Sequence, residues 1–234
     1  MSEAPVDLQV ALVAEGDTDV VVIKAALRAL LQAPFTLNVL PPEPTRAGFG
    51  GGWSGVFKWC REVAREGVAS LDKNPTFAAF DLVVIHVDAD VAEGKYAQCG
   101  SAVEEDAKTL PPLPCSQPCP PAEAGANEIR SRIQAWLGTT SLGPKAILCV
   151  PSKSSEAWLS AAVLDDNHPL LRNLECNLNL AAQLAALPLA TRIKKTKKGF
   201  QAHEQALVSG WARVRQRCTQ AERFSADVEQ AFGG

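Results

Sequence analysis

What this 234-residue chain lacks narrows its function. No apolar run approaches the roughly 18 to 20 residues that span a bilayer. The first residues carry Glu3 and Asp7 with no basic stretch ahead of an apolar one. Neither a membrane span nor a signal peptide is therefore expected, and the cytoplasm is the expected compartment. No internal repeat is visible. No Ser-His-Asp or Cys-His arrangement suits a nucleophilic enzyme. The glycine-rich stretch Gly48–Gly55 lacks the lysine and hydroxyl ending of a P-loop and is not a dinucleotide fingerprint, so it reads as a flexible turn. Seven cysteines, odd in number and scattered, read as reduced thiols rather than a disulfide framework.

What is present supports a packed protein. Hydrophobic residues make up 47% of the chain and charged ones 21%, which argues against disorder, collagen and coiled coil. The net charge of −3 is unevenly spread. Residues 1–191 hold 22 acidic and 14 basic side chains, whereas 192–223 hold nine basic and two acidic. An acidic body with a basic C-terminal segment suggests different partners for different parts of the chain.

The periodicities alternate between strand and helix. Leu8–Ala14, Thr36–Leu40, Leu82–Val87 and Ala146–Val150 read as short apolar strands. Between them, 18–32, 55–71 and 124–137 read as helices with one polar face. Residues 110–121 hold six prolines and read as an extended insertion. Further helices are expected from Ser155, over 178–187 and over 201–220. The fold class is thus α/β, a parallel doubly wound, Rossmann-like sheet. The expected division is an α/β domain over 1–165, with a Pro-rich insertion near 95–122, and a helical basic extension over 166–234 packed on it.

In such a sheet, the loops leaving the carboxyl ends of the strands converge on one edge. Three sets of acids fall there. Glu15, Asp17 and Asp19 follow the first strand, Asp88 and Asp90 the third, and Glu156 the fourth. Two residues apart in extended backbone, Asp88 and Asp90 would point to one side and share a hard cation, Mg²⁺ or Mn²⁺. Glu15 would be a further ligand or a general base. Asp17 also suits an ordinary N-cap, and Glu156 an ordinary first-turn acid.

AEGDTD at 14–19 and VIHVDAD at 84–90 resemble the TOPRIM domain of topoisomerases, primases and OLD-family nucleases. That family has a glutamate after its first strand and Asp-x-Asp after its third, on a four-stranded parallel sheet that binds Mg²⁺ for phosphodiester chemistry. The resemblance implies that Glu15, Asp88 and Asp90 bind metal, with Glu156 completing the catalytic set. Gly94 stands four residues after Asp90, where topoisomerases often have glycine at three, which points away from topoisomerase or primase activity. PSKSSEAWLSAAV at 151–163 and the basic segment resemble small standalone TOPRIM proteins of bacterial anti-phage systems. A nuclease effector acting on DNA or RNA is expected, with a co-encoded ATPase as a candidate partner. An inactive TOPRIM-fold sensor or adaptor is the alternative.

Lys194, Lys195, Lys197 and Lys198, with Lys153 and Arg213, are the candidate phosphate contacts. A solvated lysine-rich loop is the plainer reading. His86 lies inside the apolar strand and reads as a buried, hydrogen-bonded residue. Trp158 reads as core. Cys99, Cys115 and Cys119 could form a zinc clip only weakly, for no second Cys pair accompanies them.

Overall fold

The computed structural model describes residues 7–40, 51–138 and 142–233. Prolines 41, 42 and 44 and the start of the glycine-rich stretch at 48–50 lie outside the described residues. Four parallel strands form one sheet in the order β2-β1-β3-β4. They are β1 (Leu8–Val13), β2 (Phe35–Val39), β3 (Leu82–His86) and β4 (Ala146–Cys149). Leu12 pairs with Val39 on one side and Val84 on the other, and Val84 pairs with Ile147. Among the described residues no helix is long and apolar enough to cross a membrane.

The strands alternate with helices α1 (Asp17–Leu30), α2 (Trp53–Arg65), α3 (Ser101–Asp106) and α4 (Glu123–Leu137). Beyond β4 come α5 (Glu156–Val163), α6 (Leu180–Ala185), α7 (Lys197–Gln201), α8 (Glu204–Ser209), α9 (Trp211–Arg217) and α10 (Thr219–Phe232). Because strand side chains alternate, each strand feeds two cores. Val10, Leu12, Leu82, Val84, Ile147 and Cys149 share one with α1, α5 and α8–α10. Ala11, Val13, Val83, Ile85, Ala146 and Leu148 share the other with α2 and α4. Cover on both faces explains why every residue of β3 is buried and apolar except His86.

The C-terminal segment is therefore one wall of the sheet's core. Trp158 of α5 is fully buried, its ring 5.5 Å from Trp211 and 5.8 Å from Phe224. The single helix expected over 201–220 is instead α8 and α9, running from the end of α7 to the start of α10. Gly210 sits at the α8–α9 junction, where a Cβ would lie 2.8 Å from the Ala206 carbonyl and 3.5 Å from Ala162. The approach to Ala162 is an ordinary contact; it is the Ala206 carbonyl of α8 that leaves no room for a side chain where the helix breaks.

The expectation of reduced thiols is corrected at one pair. Cys119, in the Pro-rich segment, is bonded to Cys176, in the 3₁₀ turn Leu174–Cys176, across 57 residues. The fold brings the two Cα atoms to 5.4 Å, a proximity that spacing along the chain does not encode. With Cys119 in a disulfide, the Cys99, Cys115, Cys119 zinc clip loses a ligand. Cys60, Cys149 and Cys218 are free and buried.

Candidate functional site at the strand ends

Glu15 stands two residues past β1 and Asp88 two past β3. Since β1 and β3 are neighbours, the two residues meet: Asp88 N–H donates to Glu15 Oε1 at 2.8 Å. Gly52 N–H donates to the Glu15 carbonyl at 2.9 Å, tying the start of α2 to the same edge. On the other side, the turn after β4 closes in. Ser155 N–H donates to Asp88 Oδ1 at 3.1 Å, and Ser155 Oγ–H to Asp19 Oδ1 at 2.6 Å.

Asp19, His86 and Asp88 are all buried and offer ligand atoms within 4.8 Å of one another, so this group could hold a metal ion. His86 is buried as expected, and its Nε2 lies 3.2 Å from Asp88 Oδ1, while Nδ1 has no hydrogen-bond partner. Asp19, grouped with Glu15 and Asp17 in the sequence but given no role of its own there, is one of the three. The signal was present, because Asp19 shares the inward stripe of α1 with Val22, Ile23 and Ala26. Asp17, read as an N-cap, is the first residue of α1; the cap position belongs to Gly16.

Residues Ala89–Glu93 form a 3₁₀ turn with Asp88 at its N-cap position, so the extended backbone expected through Asp90 ends at Asp88. Asp88 is buried and Asp90 exposed, yet Asp90 stays within electrostatic reach of Asp88 and Asp19. Asp90 remains within electrostatic reach of Lys195, Glu156 and Lys153.

Burial raises the Glu15 carboxyl well above the ordinary range, and Asp88 adds to the rise. Burial likewise pushes Asp88 up to about 7, with Asp19 adding to it. For His86 burial opposes the charged form, but the negative Asp19 and Asp88 outweigh it and raise the imidazole to about 9. Acids crowded in this way, away from water, favour a bound cation.

Glu156 is 1% exposed at the start of α5, and its carboxylate has no aligned hydrogen bond. Lys195 Nζ lies 2.6 Å from Glu156 Oε1, and this ion pair holds the ammonium charged, up to about 12, although burial opposes it. Lys197 Nζ lies 3.6 Å from Asp17 Oδ1. The basic segment thus reaches the acidic strand ends, with Lys194 and Lys198 exposed beside it. Lys153 is buried against Glu93 at 3.4 Å. Arg213 is elsewhere, paired with Asp166 at 3.4 Å and donating to the Ala162 carbonyl. Arg215 and Arg217 are paired with acids too, so α9 offers no free cationic face.

No protein-family model matches the chain, and neither curated proteins nor solved structures yield a match.

Proposed function

We propose that the chain is a divalent-cation-dependent nuclease of the TOPRIM kind, cleaving DNA or RNA phosphodiester bonds. The observation that carries this reading is the hydrogen bond joining Glu15 to Asp88 at the ends of adjacent parallel strands, beside the buried Asp19 and His86. The donor set fits a cation: the carboxylates of Glu15, Asp19 and Asp88 crowd together out of water, and His86 Nδ1 and Glu156 Oε2 have no hydrogen-bond partner. Asp19 and Asp88 would hold it, with His86 and Glu15 beside them. Carboxylate oxygens suit Mg²⁺, and a histidine ligand shifts the preference toward Mn²⁺.

When bound, the cation would supply Lewis-acid polarisation of the scissile phosphate. Glu15, made a stronger base by burial, would take the proton of the attacking water. Lys194, Lys195, Lys197 and Lys198 would hold the strand through its phosphates, independent of sequence. The motif resemblance extends the proposal to an effector of bacterial antiviral defence working with a co-encoded ATPase.

The test is cleavage of plasmid, single-stranded DNA and total RNA with Mg²⁺, Mn²⁺ or EDTA, wild type beside an Asp88→Ala, Asp90→Ala double variant. Metal-dependent cleavage lost in the variant supports the reading, and undiminished cleavage removes it. The Lys195–Glu156 pair favours a second reading, a TOPRIM-fold adaptor whose acids are already neutralised from within. Metal-independent nucleic-acid binding without cleavage, alone or with the ATPase, would select it.

A further inference from the structure

A second candidate site lies away from the strand ends, along the lateral edge of the sheet. β4 is an edge strand, flanked by α4 on one face and α10 on the other. These helices belong to opposite layers and come together beside β4. There they are joined by Arg223 Nη1 donating to Asn127 Oδ1 at 2.6 Å and Arg130 Nη1 to Gln220 Oε1 at 3.5 Å. Beside these bridges is a cavity of about 540 Å³, floored by Ile147 and Leu148 and walled by both helices. That volume suits a small molecule. The side-chain bridges across the edge argue against an added β-strand, which needs an open row of backbone groups.

The chemistry of the walls specifies a ligand of mixed character. Arg130 is only 7% exposed, and its Nη2 has no hydrogen-bond partner. Among the described residues neither Arg130 nor Arg223 forms an ion pair with a carboxylate. Asp227, also in the wall, stands beyond that range. Burial and the neighbouring Arg223 lower the Arg130 guanidinium to about 10, and Asp227 opposes the fall without contacting it. One carboxylate at a distance faces two guanidinium groups, one of them buried with an unpartnered nitrogen, and an anion placed between the two would supply the missing contact. The rest of the lining is half apolar, with Gln134 and Gln230 able to donate and accept.

We propose that this cavity binds a small organic phosphate of nucleotide size, its phosphate on Arg130 and Arg223 and its body against Ile147 and Leu148. Asp227, Gln134 and Gln230 would receive hydroxyl or amide groups of that body. The inference does not rest on the nuclease reading, because the cavity lies beside β4 and not beyond the carboxyl ends of the strands.

Titration calorimetry and thermal shift on the full chain in EDTA, with AMP, ribose 5-phosphate, inorganic phosphate and adenosine as probes, test it. AMP or ribose 5-phosphate should bind and stabilise the protein, inorganic phosphate more weakly, and adenosine not at all. Arg223→Gln, an exposed position, and Arg130→Met, close in volume, should each weaken binding by about tenfold or more. Asp88→Asn should leave it unchanged. No binding of either organic phosphate, equal binding of inorganic phosphate, full binding by Arg223→Gln, or loss on Asp88→Asn would each overturn the proposal. If Arg130→Met does not fold, Arg223→Gln alone decides.

Discussion

The backbone N–H of Asp88 donates to the Glu15 side chain at 2.8 Å, so two residues 73 apart in sequence are held as one unit. Glu15 thus positions the turn after β3 as well as facing the site. Its loss should disturb Asp88 as much as remove a carboxylate.

Asp88→Asn should abolish binding of Mn²⁺ or Mg²⁺, lowering affinity by about a hundredfold or more, since ligands contribute at least what their supporting partners do. The apo protein should keep its fold, because the amide retains the shape and removes one crowded charge. Calorimetric metal titration with circular dichroism checks both, and unaltered metal affinity would count against the site.

Metal-free stability should fall as pH rises. Asp88 is raised to about 7 from 3.8 and His86 to about 9 from 6.5, so in both the protonated form is favoured by folding. That contribution is complete below the unfolded-state values and is lost as pH climbs through about 7 and then about 9. A bound cation replaces the missing protons, so stabilisation by Mn²⁺ should grow from pH 5.5 to 8. Thermal melts in EDTA and in Mn²⁺ across that range measure it, and a constant difference would contradict the cluster.

Trp158→Ala should cost about 3–5 kcal/mol, because the indole fills the space between Trp211 and Phe224. Trp158→Phe should cost much less. The buried Nε1–H has no partner, so removing it forfeits no hydrogen bond. Urea denaturation of the two variants distinguishes packing from polarity.

Replacing Lys194, Lys195, Lys197 and Lys198 with alanine should weaken nucleic-acid binding uniformly across sequences. The slope of log affinity against log salt should shrink by about 0.7–0.9 for each phosphate that is no longer neutralised. Arg213→Ala should leave that slope unchanged and lower the melting temperature instead, since it removes the pair with Asp166 and the bond to Ala162. Fluorescence anisotropy at several salt concentrations, beside thermal melts, reads both.

How much of this was legible differs by element. β3 and β4 could be read to within a residue because burial on both faces leaves an unbroken apolar run. The convergence of Glu15, Asp88 and Glu156 followed from parallel topology alone. The burial of Asp88 beside an exposed Asp90 did not, for it depends on where extended backbone gives way to a 3₁₀ turn. Asp19 was legible and missed, an acid on an apolar stripe read by its type and not its phase. The Cys119–Cys176 bond rests on the meeting of distant segments, which local patterns do not carry.

Phe224 and Val228 of α10 share a core with Val10 and Leu12 of β1. On a ribosome adding about 5–20 residues per second, β1 emerges roughly 10–40 s before the helix that covers it. During that interval α1, α5, α8 and α9 emerge in turn to cover that face of the nascent sheet, and the wall stays incomplete until α10 follows. A late stop codon or a clipped tail would therefore leave a full set of strands with an unfinished interior, a substrate for chaperones and proteases rather than a smaller working protein.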